Sequence, residues 1–405
     1  MPFRTALSGL NAASADLRVT GNNVANTGTT GFKESRAEFA DIFALSYSGI
    51  SNTATGTGAR LAAVTQQFSQ GNIETTGNNM DLGLSGQGFF VLNDGGSRVY
   101  SRAGGFQVNR DGYVVNAQGA RLQAYPPQDG NPGVFSSGQL GDLRLSSGES
   151  SPRATSEVRA SLNLAADAED QSAVPFDPQD PSSFNFSTSL SLYDSLGQSQ
   201  TASLFFRNEG SLNWAAHLAI DGTEVGSPVA LEFDSAGRLV EPTAPASFGP
   251  FTPPSGGAQM DIEFDFSEIT QFGGTSNVNS LSQDGYTTGR LTSIDVDDKG
   301  IVLARYTNGQ AQALGQVAVA NFSNPQGLQQ LGDNAWAETF AAGEPIMGKA
   351  GEGDFGTIQS GGLEASNVDI SEQLVNLITA QRNFQANAQV ISTADAITQT
   401  IINIR

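Results

Sequence analysis

The chain predicts a multidomain α+β protein, with N- and C-terminal coiled-coil helices and mainly antiparallel β domains between them. Two observations carry that prediction. Phe3, Leu7, Leu10, Ser14, Leu17, Gly21 and Val24 fall at alternating spacings of four and three, and Ile370, Leu374, Leu377, Gln381, Phe384, Ala388 and Ile391 repeat the pattern at the other end. Such a stripe is the seam of a coiled coil and needs a partner helix to cover it. Between the ends, short apolar alternations are punctuated by Gly, Asn and Asp, as strands and their turns require.

The first helix draws its propensity from Ala6, Ala12, Ala13 and Ala15. It should stop near residues 22–26, where amides and then Gly28 and Gly31 favour turns. The second starts at Asp369, whose side chain can cap it, with Glu372 as the reciprocal partner. No Gly or Pro follows before Arg405, which gives about 35 residues and a rod of roughly 50 Å. After Ile391 the apolar register slips, placing Ala394, Ile397, Ile401 and Ile404 on a rotated face. Asn376, Asn383, Gln385, Asn387, Gln389 and Gln399 fill the other faces, where an exposed helix would carry Glu and Lys. Uncharged amides suit a helix surrounded by helices, because charge is costly to desolvate. Each stripe can be covered by the other and by the ends of neighbouring subunits, so the termini point to polymerisation. A two-helix hairpin packed only on its own sheet domain would leave much of this surface wet.

Strands are predicted at 89–92, 99–101, 106–109 and 113–116, with Asn109-Arg110-Asp111-Gly112 as a hairpin turn. Further strands follow at 291–296, 301–306 and 311–320, so the two β-rich regions can pair into one discontinuous domain. The segment between them has longer strands at 184–193, 201–207, 212–220, 229–233 and 260–266. In the last, Met260, Ile262, Phe264 and Phe266 alternate with Asp261, Glu263 and Asp265, one face apolar and one acidic. Residues 146–286 carry 19 acidic and 4 basic side chains, so 15 of the chain's 21 excess negative charges lie here. An acidic surface keeps an exposed domain soluble. Residues 46–58, rich in Ser, Thr and Gly, read as loop or linker.

Composition excludes several classes. A chain of 405 residues holds about two to four domains. The net charge of −21 argues against nucleic acid and against anionic membrane surfaces. Without cysteine there is no disulfide, thiolate zinc site or cysteine nucleophile. No apolar stretch reaches the roughly 18–20 residues that cross a bilayer. Residues 1–10 lack a basic region followed by a long apolar run, so a cleaved signal peptide is not expected. His217 stands alone in a strand pattern and cannot make a multi-histidine metal site. Asp295 to Gly300 has the look of a calcium loop, but the twelfth position is Tyr306 rather than Glu. Asp167, Glu169 and Asp170 read as a solvated loop, and the stretch 83–88 lacks the G-x-G-x-x-G order. No catalytic, metal or cofactor residue is therefore assigned, and neither an enzyme nor a cofactor is expected.

Ala25-Asn26-Thr27-Gly28-Thr29-Thr30-Gly31-Phe32-Lys33, with Ser8-Gly9-Leu10-Asn11-Ala12 before it, resembles the signature of the flagellar rod and hook axial-protein family. Residues 70–77 and 81–90 are similar to the entry into that family's β domain, and 363–369 with 380–387 to its C-terminal helix. The likeness is tight over 1–145 and 287–405. It is looser over the acidic insertion, which is similar to the outer domain of hook members.

The resemblance implies an architecture. Residues 1–25 with 366–405 form a helical inner core, and 26–72 with 355–365 a connecting region. Residues 73–145 with 287–354 make a discontinuous β domain, and 146–286 an inserted outer one, the two stacking outward. Phe3, Leu7, Leu10, Leu17, Val24, Ile370, Leu374, Leu377, Phe384, Ile391, Ile397 and Ile401 are the expected assembly seam, and Ala25, Asn26, Gly31, Phe32 and Lys33 the family motif. The implied function is that of a structural hook subunit in a helical homopolymer. Such a polymer is a curved, flexible tube that passes motor torque to the filament as a universal joint. The implied partners are the distal rod, hook cap and hook–filament junction proteins and the flagellar type III export apparatus, on an extracellular flagellum. Charge-poor contacts suit subunits that slide between near-equal states. The glycines of 28–31 and 348–362 serve either as hinges or as tight turns. A distal rod or other axial component is the rival within the family, and a secreted β-rich enzyme or adhesin the rival outside it.

Overall fold

The structure, a computed structural model, describes residues 2–42, 56–128, 133–136, 138–145, 148–210 and 212–403. Its contacts divide the chain into two compact units, one of residues 1–147, 293–305 and 311–405, the other of 148–292 with 306–310.

In the first unit, helix α1 spans Pro2–Ala25 and helix α2 spans Ile370–Asn403. The Asp369 carboxylate caps α2, accepting the N–H groups of Ser371 at 2.7 Å and Glu372 at 3.2 Å. α1 ends where the Asn26 amide side chain turns back onto the Asn22 carbonyl at 2.9 Å. The helices lie antiparallel, with Gly9 against Asn387 and Asn23 against Gln373. After α1 comes an antiparallel hairpin, Ser35–Asp41 with Ala59–Gln66. This hairpin is not legible in the sequence: its apolar residues, Phe39, Leu61 and Val64, are few and exposed. Most of the Ser/Thr/Gly stretch predicted as loop, 46–55, lies outside the described residues.

The β body of this unit is an antiparallel sheet whose central strands are buried on both faces. Phe89 and Val91 of Phe89–Asp94, with Ala318 and Ala320 of Ala311–Asn321, join Tyr100 and Trp336 in one core. Phe90, Leu92, Val317 and Val319, their neighbours in sequence, join Leu84 and Leu122 in another. Period-two alternation sends successive side chains to opposite faces, and both faces are apolar here. The hairpin turn at Asn109 to Gly112 forms between Gln107–Val108 and Val114–Val115, with Gly112 at φ +84°. Two short ladders bring the chain's later half back to its start. Ile73–Thr75 pairs with Gly362–Glu364, and Leu82–Ser85 with Thr357–Ser360.

The second unit is built on two sheets. Phe186–Tyr193, Ser199–Gly210, Asn213–Ile220, Val229–Phe233 and Leu239–Glu241 run antiparallel in that order. In the other sheet Glu157–Ala165 is central, antiparallel to Asn277–Gln283 but parallel to Glu263–Asp265 and Thr270–Phe272. Both sheets contribute to one core around Leu162, Phe206, Trp214 and Phe264. Met260, Ile262, Phe264 and Phe266 are all buried and Asp261 and Glu263 exposed, as their alternation requires.

Candidate functional site

Within the chain, α1 meets α2 through small residues. Ala6, Ala13, Thr20 and Asn23 are buried, and they share one face of α1 with Gly9. A methyl group on Gly9 would sit 2.4 Å from Asn387 Oδ1, so the backbones approach closely there. On α2, Gln373 and Ala380 are buried. Asn23 Nδ2 donates to Gln373 Oε1 at 3.1 Å, and Gln373 Nε2 donates to Glu34 Oε1 at 2.8 Å.

The predicted seam on α1 lies one residue round from this face, which is about 100° of rotation. The intrachain contact therefore differs from the contact the spacing predicts. Leu10, Leu17 and Val24 are half-buried at its margin, as are Leu377, Phe384 and Ile391 on α2. Phe3 (51 % exposed) and Leu7 face solvent, and so do Ile370 (52 %), Leu374 (47 %) and Ile397 (56 %). Ile401 lies in α2, but its side chain is outside the described residues. Val375, Ile378 and Val390 add to the exposed apolar surface. Each isolated exposed apolar residue is ordinary, but a contiguous stripe along a helix marks a surface that something covers.

The family motif sits where this helix pair joins the β body. Ala25 ends α1, exposed, and Asn26 Oδ1 accepts from the Thr29 hydroxyl at 3.1 Å. Gly31 adopts φ +69°, and a Cβ there would lie 2.5 Å from the Ala103 backbone nitrogen, so no other residue fits without a shift. Phe32 is buried. Lys33 is fully buried, its Nζ 2.7 Å from Glu364 Oε1 and donating to the Ser69 carbonyl at 2.7 Å. Glu364, also fully buried, is held from its other oxygen by Arg102 Nη1 at 3.2 Å, and its Oε1 accepts the Gly71 N–H at 2.9 Å. Burial pulls the Lys33 ammonium and the Arg102 guanidinium below their ordinary values, and Glu364 opposes this. One carboxylate thus ties the segment after α1, the β body and the strand leading to α2. Asn367 reinforces the tie, accepting the Glu34 N–H at 2.7 Å and donating to the Gln67 carbonyl at 2.8 Å.

Sequence reasoning placed Lys33 in the family motif and Glu364 in the family-like block 363–369, but did not connect the two and gave Arg102 no role. The available signal was charge out of place: Arg102 follows a buried strand, and Glu364 ends one. Gly31, Gly351 and Gly361 have positive φ and make tight turns, whereas Gly348 lies in a strand under the Phe355 ring. His217 is a packing residue, stacked on Phe176 at 3.8 Å with Nδ1 2.9 Å from Glu224. Asp297 closes its own turn by accepting the N–H groups of Lys299 and Ile301. No described helix is long and apolar enough to cross a membrane.

Four family models match in chain order. They are flagella basal body rod protein over residues 3–33, flagellar hook protein FlgE/F/G D1 domain over 83–153, flagellar basal body protein FlaE D2 domain over 163–286, and flagellar basal body rod FlgEFG protein C-terminal over 359–404. The chain is 37 % identical to the flagellar hook protein FlgE of Escherichia coli over 413 residues, spanning all of both. It is 36 % identical to that of Salmonella typhimurium over 412 residues, again all of both. With the hook protein of Borreliella burgdorferi the identity is 32 %, over 99 % of this chain and 98 % of the relative. Among solved structures, the Helicobacter pylori flagellar hook protein FlgE2 shares the fold at a TM-score of 0.53 and 15 % identity, over 72 % of this chain and 100 % of that one.

Proposed function

Since the chain belongs to the flagellar hook protein family and is a structural subunit of the bacterial flagellum, we propose that it polymerises through α1 and α2 into the curved, flexible tube of the hook. In that tube it acts as a universal joint between motor and filament. The observation that carries this is the apolar surface that the helix pair leaves outside: Phe3, Leu7, Ile370, Leu374 and Ile397 are exposed although the two helices already pack together. A second copy of the same surface covers it without any new chemistry.

The division of labour follows the same reading. Residues 1–25 and 366–405 form the inner core, 26–72 and 355–365 connect, 73–145 and 287–354 form the first β domain, and 146–286 the outer one. The buried Lys33–Glu364–Arg102 cluster supports rigid coupling of helices to β body, so torque borne by one passes to the other. The distal rod, hook cap and hook–filament junction proteins are the proposed end contacts, and the type III export apparatus the proposed route to the extracellular hook.

The test is electron microscopy of the purified chain after inducing polymerisation, beside Leu374→Glu. Curved tubes from the parent and none from the variant are expected. Straight tubes would favour a distal rod or other axial component. Monodisperse particles from the parent under all polymerising conditions would sink the proposal.

A further inference from the structure

The helices carry little charge, and what they carry is balanced. Within Pro2–Ala25 the charged residues are Arg4, Asp16 and Arg18; within Ile370–Asn403 they are Glu372, Arg382 and Asp395. Among the described residues, no ion pair involves any of the six. Three positive and three negative groups, none in an ion pair among the described residues, give the helix pair a balanced set of charges. Covering such charges is costly unless each meets an opposite one from another copy.

The register of the two helices sets the height of each charge along the pair. Gly9 meets Asn387 and Asn23 meets Gln373, so the two helices run antiparallel in step. By that register Arg382 lies level with residue 14 of α1, roughly 3 Å of rise from Asp16. Arg382 is exposed and is the sole charge between Gln373 and Ala394. Asp16 is half-buried in a groove lined also by Glu34, Arg36, Glu372, Gln373 and Asn376, where three acids face one base, and burial pushes its carboxyl up.

We propose that in the assembled tube Arg382 of one copy reaches into this groove on a neighbouring copy and pairs with Asp16, fixing the axial register between adjacent helix pairs. The pair rests on the reading that the chain polymerises through α1 and α2, and it names the contact that sets register there. Apolar stripes slide with little preference, whereas a desolvated ion pair is lost when the register shifts.

The experiment is a charge swap in the full chain, reading the critical concentration for tube formation and, separately, the melting of the monomer. Asp16→Arg and Arg382→Asp should each raise the critical concentration at least about tenfold, with monomer melting unchanged. The chain carrying both changes should return to within about threefold of the parent, because the swapped charges pair again. If the reversals disturb α1, Asp16→Asn and Arg382→Gln serve instead: the double variant should then assemble no worse than the weaker single. Singles that assemble like the parent, or a double as poor as the two defects combined, would overturn the pair while leaving assembly through the helices intact. A parent that forms no tubes would overturn assembly itself and the pair with it.

Discussion

Residues 148–292 bury Phe206, Trp214 and Phe264 almost completely, while most of their acids, the buried Asp194 apart, are exposed or half-exposed. The helix pair does the reverse: it hides alanine, threonine and amides, and leaves Phe3, Leu374 and Ile397 in solvent. The first region closes its own core and needs nothing from outside. The second has spent its small residues on the intrachain contact and still presents its large ones. Hydrophobic burial is the dominant favourable term in both, but in the helix pair much apolar surface is still exposed in the lone subunit. A subunit built this way carries most of its excess charge in its middle and its exposed large apolar side chains at its ends.

The sharpest way to break this comparison is a pair of substitutions with opposite outcomes. Leu374→Glu should abolish tubes and change monomer stability by no more than about 0.5 kcal/mol, as expected for an exposed position. Phe264→Ala removes a ring 5.0 Å from Phe248 and 6.0 Å from Phe266, and should cost about 3–5 kcal/mol in denaturant unfolding. Tubes should still form from it under conditions where the chain is folded. Were Leu374→Glu to destabilise the monomer as much as Phe264→Ala does, the helix pair would be a closed core after all.

Glu364→Gln probes the joint between helices and β body. It leaves Lys33 and Arg102 buried without their countercharge, a change of about 3–5 kcal/mol. Amide exchange at Gly31 and Gly71 should quicken, since Gly31 donates to the Glu364 carbonyl and Gly71 to its carboxylate. Unchanged exchange at both would mean that the cluster does not hold the joint.

Acid separates the two regions more gently, and with opposite sign. Burial would push the Asp284 carboxyl up, but hydrogen bonds from the Ser156 hydroxyl and from the Glu157 and Ser156 N–H groups, with Arg153 beside it, hold it below the ordinary range. Its stabilisation is complete above the unfolded value of about 3.9 and drains away as pH falls through the lower folded value. Asp16 is raised instead, so in the lone subunit its effect favours folding at low pH and fades as pH rises. Unfolding followed between about pH 5 and 2 should therefore show residues 148–292 weakening before the helix pair, and Asp284→Asn should blunt that trend.

What was legible in the sequence follows from periodicity. α2 could be read because 34 residues run without Gly or Pro behind a capping Asp369. The alternation of Met260 to Phe266 and the Asn109–Gly112 turn declared themselves for the same local reason. Glu364 did not, because its partners Arg102 and Lys33 lie 262 and 331 residues away and no spacing rule links them. The small-residue face of α1 was hidden behind the more conspicuous leucine stripe, one residue round. Heptad spacing shows that a helix has a seam; which of two adjacent faces meets the intrachain partner depends on how closely the backbones approach. Gly9 against Asn387 decides that here.

The smallest expected effect lies at the start of α2. Ile370 and Leu374, in its first turns, are exposed in the subunit, so little packing holds this end. The Asp369 carboxylate does so by accepting the Ser371 and Glu372 N–H groups, two of the donors that a helix start leaves without partners. Asp369→Ala should cost about 1 kcal/mol and Asp369→Asn much less, because asparagine caps nearly as well. Faster amide exchange at Ser371 and Glu372 in the alanine variant, with Gln373 still protected by its contacts to Asn23 and Glu34, would confine the fraying to the first turn. If exchange instead quickened along the whole of α2, the cap would be holding the helix pair together, and packing within the lone subunit would hold it less than the buried residues indicate.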